Sequence, residues 1–243
     1  MPLSAVPRSA PSQRDVLEAI EASPSACEYQ PIVRADEETI WGYEALARFS
    51  VGGTTYAPDD VFHALHEQRA RFLALETRAK RFQLENRPAK HPLFVNLDPD
   101  VCEGAALDHW VTELGGADDL VVEIIENTSV TNLDNVRRFT QRLDGSGVNV
   151  ALDDIGGTNN LFSFDLLEDV RYLKLDRRWF ERLDRDPAYR SLLGGMIEFA
   201  RARGVGTVLE GVESRRHLSI ARGLGVDFVQ GFLFADAFLY ARA

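Results

Sequence analysis

Several short apolar runs in this sequence end in a polar side chain that could bind a cation or move a proton. Residues 148–154 form one such run and finish in two adjacent carboxylates, Asp153 and Asp154. Taken alone, the two aspartates would suit a solvated turn that caps a helix. Five further runs, however, end in turn in Asn96, Glu123, Lys174, Glu210 and Gln230. Neighbouring carboxylates repel each other without a cation, so the set predicts a site for cation-assisted chemistry.

The apolar runs have the length and composition of buried strands, and helical patterns separate most of them. In a parallel β/α barrel the carboxyl ends of the strands converge on one face, where such barrels place their chemistry. We therefore predict an α/β fold, a TIM-like (β/α)8 barrel, with the six polar ends on one face.

The first two strands are predicted over residues 28–33 and 39–47. The segment between them is too short for a crossover helix, so we expect an antiparallel first strand. Residues 1–25 are predicted to be a flexible tail and a short helix over 13–22, and residues 26–243 the barrel.

The net charge of −11 argues against a nucleic-acid polymer as partner, because phosphate binding needs clustered lysine and arginine. No apolar run approaches the roughly 20 residues that span a bilayer, and the sequence starts without a secretory apolar region. We expect a soluble, cytoplasmic protein.

Cys27 and Cys102 form no paired motif, and the five histidines are scattered, so neither a redox motif nor a zinc site is expected.

The order of the motifs resembles the EAL domain family, phosphodiesterases that open the bacterial second messenger cyclic di-GMP to linear pGpG. The resemblance covers about residues 26–238. The matching motifs are Tyr29-Gln30-Pro31-Ile32-Val33, Glu44-Ala45-Leu46, Val95-Asn96-Leu97, Glu123-Ile124-Ile125-Glu126, Leu152-Asp153-Asp154, Leu173-Lys174-Leu175-Asp176, Glu210-Gly211-Val212-Glu213 and Gln230-Gly231-Phe232.

This resemblance implies roles for individual side chains. The implied ligands of a first divalent cation are Glu44, Asn96, Glu123 and Asp153. Asp154 would serve a second cation. Lys174 would contact the attacking water or the phosphate, and Glu210 would bind metal or take the proton of that water.

The resemblance also implies contacts around the cations. Gln230 would hydrogen-bond within the site, Arg48 would contact a substrate phosphate, and Gln30 a guanine or a ribose. Glu126 would anchor the loop after the fifth strand, and Glu213 would have a supporting role. A homodimer through the loops near the fifth and sixth strands is a further expectation.

Physical chemistry supports this assignment independently. Mg²⁺ and Mn²⁺ prefer carboxylate, amide and water oxygens, and two such cations about 4 Å apart can bind a phosphodiester and activate water. A lysine among the acids supplies a compact positive charge that can steer water or phosphate, and a structural ion pair with a neighbouring acid is the alternative. Arg48 could also be an ordinary surface residue.

The chain departs from the family in the loop over residues 155–160, which reads Ile-Gly-Gly-Thr-Asn-Asn where active members usually have Phe-Gly-Thr-Gly-Tyr-Ser-Ser. Ile125 replaces a usual threonine, and residues 235–237 lack a basic-proline pair.

The retained ligands favour a metal-dependent cyclic di-GMP phosphodiesterase. The changed loop favours the alternative of a catalytically weak or inactive cyclic di-GMP receptor. A protein-interaction module is a further alternative. Another nucleotide substrate also remains open.

Overall fold

The structure is a computed structural model that describes residues 13–22, 26–98, 105–115, 119–125, 133–143, 146–158, 166–167 and 169–243. The described elements are, in chain order, α1 (Gln13–Ala22), β1 (Ala26–Arg34), β2 (Ile40–Ala47), β3 (Phe49–Val51), β4 (Thr54–Tyr56), α2 (Pro58–Leu65), α3 (Arg69–Glu85), β5 (Leu93–Asn96), α4 (Ala105–Leu114), β6 (Leu120–Ile125), α5 (Leu133–Leu143), β7 (Asn149–Ile155), β8 (Tyr172–Leu175), α6 (Arg178–Arg185), α7 (Ala188–Ala202), β9 (Gly206–Leu209), α8 (Arg215–Leu224), β10 (Phe228–Val229), a 3-10 helix (Phe232–Ala237) and β11 (Leu239–Arg242).

The chain divides into two compact units, of which the larger contains Glu28–Leu46 and Asn86–Tyr240. Its strands follow the order β2, β5, β6, β7, β8, β9 and β10, and β1 lies between β10 and β2 to close a barrel. The strands from β2 to β10 pair in parallel, whereas β1 pairs antiparallel with β10, with Val33 opposite Val229. This confirms a TIM-like barrel with an antiparallel first strand.

A tight turn connects β1 to β2 and explains the reversal. The backbone N of Arg34 donates to the O of Thr39 at 2.9 Å, and Glu38 takes a positive φ of 57°. A turn of this length cannot hold a crossover helix, as the sequence predicted.

The barrel interior beneath the polar strand ends is an apolar layer, with Trp41 and Tyr172 packed against it. The layer consists of Ile32, Phe94, Val121, Ala151, Val208 and Phe228. Strand side chains alternate between faces, so the residue two positions further on points the same way. The residues two positions after Phe94, Val121, Ala151, Tyr172, Val208 and Phe228 are Asn96, Glu123, Asp153, Lys174, Glu210 and Gln230. In the reversed β1, Gln30 precedes Ile32 by the same spacing. These polar side chains therefore form a second layer, the polar layer, which lies directly next to the apolar layer in the barrel interior.

The smaller unit contains the described part of Met1–Cys27, together with Ala47–Glu85 and Ala241–Ala243. Proline begins α2, because its fixed φ and missing N–H suit the first turn of a helix. Gly52 and Gly53 form the turn of a hairpin in which β3 and β4 pair antiparallel. Within this unit Arg71 Nε lies 2.8 Å from Glu21 Oε1.

Helix α6 was not predicted, and the last barrel strand consists only of Phe228–Val229. Gly231 (φ 154°) packs against the backbone of Val212, which leaves no space for a side chain, and the chain leaves the strand there.

The predicted tail at residues 1–12, the loop anchor Glu126 and Cys102 lie outside the described residues. The division into a tail and one barrel domain stays a prediction. Within the described ranges, no helix combines the length and the apolarity needed to cross a bilayer.

Candidate active site

Lys174 lies at the centre of the polar layer, with 1% of its side chain exposed. Its Nζ lies 2.6 Å from Glu123 Oε1, 2.9 Å from Glu210 Oε1, 3.1 Å from Asp153 Oδ1 and 3.4 Å from Glu44 Oε2. Glu123, Asp153 and Glu44 lie in the second halves of β6, β7 and β2, and Glu210 directly follows β9. The barrel therefore brings together side chains that are far apart in the sequence.

Two amides hold Glu44 from both sides. Asn96 Nδ2 donates to Glu44 Oε1 at 2.9 Å, and Gln230 Nε2 donates to Glu44 Oε2 at 2.7 Å. The buried Oε1 of Gln230 has no hydrogen-bond partner in the described part of the chain. A buried polar atom without a partner is costly, and a bound ligand would relieve that cost.

A β-bulge lets both adjacent aspartates serve the site. The pairing of β7 with β8 shifts register between Leu152 and Ile155, and Asp154 adopts a left-handed φ of 58°. Its backbone N donates to Asp153 Oδ1 at 2.8 Å. Regular alternation would send Asp154 to the opposite face of the strand, and the bulge removes that constraint.

Burial is the largest influence on the pKa of the more accessible acids, Glu210, Asp154 and Asp153. It raises the pKa of Glu210 to about 8, despite the nearby ammonium of Lys174. Burial and the repulsion from Asp153 raise the pKa of Asp154 to about 6. Burial also raises the pKa of Asp153 above its usual value. At neutral pH this cluster therefore holds protons that a bound cation would displace.

Glu123 and Glu44, the innermost acids, differ in the direction of their pKa shifts. Burial, followed by repulsion from Glu44, raises the pKa of Glu123 well above its ordinary value. Burial also opposes the charge on Glu44, but Lys174 and the hydrogen bonds from its neighbours outweigh it, and the pKa of Glu44 is lowered. Burial alone would lower the pKa of Lys174, but the surrounding carboxylates raise it well above its usual value. Lys174 is therefore a permanent cation.

The acids form two overlapping groups in which one carboxylate oxygen per residue lies within 4.8 Å of the others. The groups are Glu44, Glu123 and Asp153, and Asp153, Asp154 and Glu210. The donors are all oxygens, and the acids outnumber the single lysine. This chemistry fits a hard divalent cation such as Mg²⁺ or Mn²⁺.

The beginning of the loop after Asp154 is held by the unpredicted helix α6. Trp179 Nε1 donates to the O of Ile155 at 2.8 Å, and Gly157 N donates to the O of Asp154 at 2.7 Å. Gly156 has a φ of 86°, and a Cβ there would lie 2.6 Å from Trp179 Nε1. Glycine is thus required at this position for both its backbone conformation and its small size.

The structure brings the eight polar strand-end residues into one cluster, and the other predicted residues lie around or outside it. Gln30 Nε2 donates to Glu28 Oε1 at 2.7 Å, and its Oε1 lies 3.5 Å from Gln230 Nε2. Arg48 belongs to the smaller unit, where it donates to the O of Ala47 at 3.0 Å. Glu213 is exposed. The roles assigned to all these residues stay predictions.

Two residues that support the site were missed by the sequence analysis. Glu28 is buried and bonded to Gln30, and its position two residues before Gln30 on β1 was a usable signal. Trp179 holds the loop after Asp154, but no local pattern in the sequence indicated that contact.

A family model described as EAL domain matches residues 13–237. The chain is 26% identical over 219 residues to the cyclic di-GMP phosphodiesterase PdeL of Escherichia coli K12, covering 85% of this chain and 60% of PdeL. It is 28% identical over 250 residues to the cyclic di-GMP phosphodiesterase RocR of Pseudomonas aeruginosa, covering 93% of this chain and 60% of RocR. The chain thus spans 60% of the length of either relative.

Solved structures share the fold. An EAL domain protein from Listeria monocytogenes superposes with a TM-score of 0.75 at 24% identity and covers 93% of each chain. BlrP1 of Klebsiella pneumoniae, in complex with manganese and cyclic di-GMP, gives a TM-score of 0.72 at 22% identity, covering 100% of this chain and 60% of BlrP1.

Proposed function

Because this chain belongs to the EAL domain family, we propose that it hydrolyses cyclic di-GMP to linear pGpG with the help of Mg²⁺ or Mn²⁺, two cations per site. The observation that carries the proposal is the position of Lys174, whose Nζ lies within 3.4 Å of four carboxylates that belong to four strands or directly follow them. The names of PdeL and RocR as cyclic di-GMP phosphodiesterases support the choice of substrate.

The donor set divides between two cations. We assign Glu44, Asn96, Glu123 and Asp153 to the first, and Asp154 with Glu210 to the second. When bound, two such cations would neutralise the phosphate, lower the pKa of water and stabilise the leaving oxygen. The overlap of the two acidic groups at Asp153 supports a shared ligand.

In the reaction, the oxygen of water bonds to phosphorus, the bond from phosphorus to the ribose O3′ breaks, and O3′ receives a proton. Glu210 is the carboxylate we assign to take the proton of water. Its side chain is 19% exposed, the highest fraction among the four acids around Lys174. Lys174 is a permanent cation beside Glu210, so it favours the negative charge that water and phosphate carry as the bond forms.

The amide side chains around the cluster orient other groups and take no part in bond making or breaking. Gln230 orients Glu44 through its Nε2, and its Oε1 is left to accept a hydrogen bond from a ligand. Gln30, beside Gln230, is assigned to a guanine or a ribose of the substrate.

The test is chromatography of cyclic di-GMP incubated with the protein and Mg²⁺ or Mn²⁺, with and without a chelator. Glu44→Ala removes an assigned ligand, and Glu198→Ala, which truncates an exposed glutamate of α7, is the matched control. We expect pGpG from the parent protein and from Glu198→Ala, and none from Glu44→Ala or with chelator. Product in the presence of chelator would contradict the metal-dependent mechanism.

A second candidate function is a receptor that binds cyclic di-GMP without cutting it, favoured by the composition of the loop over residues 155–160. Binding measured by calorimetry without any product would support the receptor and overturn the hydrolase. Absence of binding with or without metal would exclude both. A homodimer stays part of the proposal, and a monomeric mass in light scattering with nucleotide present would count against it.

A further inference from the structure

His217, near the start of α8, contacts the segment that follows Glu210. Its Nδ1 lies 3.2 Å from the O of Gly211 and 3.4 Å from the backbone N of Glu213. One ring nitrogen serves one of these groups at a time: as N–H it donates to Gly211, and without the proton it accepts from Glu213. In both states the ring is bonded to the segment that carries Glu210.

The face of the same ring packs on the helix that follows Lys174. His217 stacks on Phe180 with ring centroids 4.1 Å apart and an interplanar angle of 13°. Phe180 is buried on α6, which begins shortly after β8, the strand of Lys174. His217 therefore contacts both the segment that follows Glu210 in the chain and the helix that follows Lys174.

The backbone around Glu210 is held at its other side by the neighbouring strands. Glu210 N donates to the O of Leu175 at 3.0 Å, and Val212 N donates to the O of Gln230 at 2.9 Å. Gly211, between them, has a left-handed φ of 67° and packs closely on Arg177. A bond from His217 to the carbonyl of Gly211 restrains the peptide that joins these two anchored residues.

We propose that His217 is a positioning residue for Glu210: it keeps the Glu210 carboxylate beside Lys174 and Asp153 and thereby strengthens cation binding. The proposal rests on the metal-dependent function proposed above. His217 is not among the residues assigned to the cations or the substrate. It acts through the backbone of Gly211 and Glu213, as supporting residues of metal sites commonly act through the ligands they hold.

A purely structural role for His217 would be as a cap of α8. Ser214 Oγ caps the helix by accepting from the backbone N of residue 217 at 3.2 Å, whatever the side chain there, so a capping role of His217 would come from its ring, since a side chain at the third helical position often reaches back to the start of the helix. Loss of a cap would lower the stability of the whole protein and leave cation affinity unchanged in the folded molecules. The two roles therefore differ in what they predict.

The first experiment is hydrogen exchange of the intact chain without metal, comparing His217→Ala with Arg216→Ala. Arg216, the neighbouring residue, pairs with Asp184 of α6 and so also connects the two helices. We expect the amides of Glu210 and Val212 to exchange about tenfold faster in His217→Ala and at the parent rate in Arg216→Ala. Unchanged exchange in His217→Ala would overturn the proposal.

The second experiment measures the affinity for Mn²⁺ by electron paramagnetic resonance, with melting temperatures for every variant. His217→Ala should weaken binding by about tenfold or more, while His217→Gln, which keeps a side chain able to reach the backbone, should bind within about threefold of the parent. In a Glu210→Ala background, His217→Ala should cause no further loss, because its effect passes through Glu210.

An equal loss of affinity with and without Glu210 would show that His217 does not act through that residue. If the parent protein binds no Mn²⁺, the proposed metal-dependent function fails, and the exchange rates of Glu210 and Val212 alone decide the role of His217.

Discussion

Lys174 Nζ and Glu123 Oε1 are 2.6 Å apart in the barrel interior, where 1% of the lysine side chain and none of the glutamate side chain is exposed. The same ammonium serves three further carboxylates. Without a metal ion, one positive charge therefore compensates a set of acids that outnumbers it. The ion pair stabilises the cluster, and the excess of acidic side chains over the one ammonium favours the binding of a cation.

Replacing Lys174 by methionine should destabilise the metal-free protein by about 3 kcal/mol, because removal of one partner leaves buried carboxylates without compensation. Urea denaturation measures the change. Lys90→Met, at an exposed lysine, is the control and should change the free energy of unfolding little. A loss below about 1 kcal/mol in Lys174→Met would show that the acids hold enough protons to need no ammonium.

Glu123→Gln should stabilise the metal-free protein at pH 7. An acid with a raised folded pKa costs stability once the pH exceeds its unfolded value, here near 4.5. Glutamine keeps the shape without the charge, so we expect a higher free energy of unfolding at pH 7. The gain should vanish at pH 4, where both states are protonated. The variant should also bind Mn²⁺ more weakly, and a protein destabilised at pH 7 would contradict the expectation.

Binding of Mn²⁺ at pH 7 should release protons, in contrast to binding at pH 9. Glu210, with a pKa of about 8, is mostly protonated at pH 7, while Asp154, with a pKa of about 6, is mostly ionised. A cation displaces the proton of Glu210, so affinity should rise with pH up to about 8 and then level off. Calorimetry in buffers of different ionisation enthalpy counts the protons. Identical heats in all buffers at pH 7 would exclude the displacement.

Gly156→Ala should cost more stability than Gly53→Ala, although both glycines have a φ of 86°. The left-handed backbone costs about 1–2 kcal/mol in each variant. A Cβ at Gly53 meets open space, whereas one at Gly156 meets Trp179, so Gly156→Ala should lose about 1–3 kcal/mol more. Its Mn²⁺ affinity should also fall, because Asp154 lies at the start of the same turn. Equal losses of stability would mean that Trp179 moves aside freely.

Barrel topology explains how much of the site was predictable from sequence. Polar residues after short apolar runs identified Asn96, Glu123 and Lys174, because parallel strands bring their carboxyl ends to one face. Glu44 was found only through its motif. The bulge at Asp154 could not be predicted, because it depends on the register between two strands. Helix α6 was missed because it is short, and its buried Trp179 and Phe180 are adjacent rather than at helical spacing.

The antiparallel closure of the barrel by β1 and β10 also has a kinetic consequence. The hydrogen bond from Gln230 to Glu44 joins residues 186 apart in the chain, so it forms only when β10 closes the barrel beside β1 and β2. Contacts of such long range are slow to form and belong to the late stages of folding. A divalent cation should therefore find its complete set of ligands only after closure. It should slow unfolding and leave the folding rate unchanged, because it stabilises interactions that are absent from the transition state.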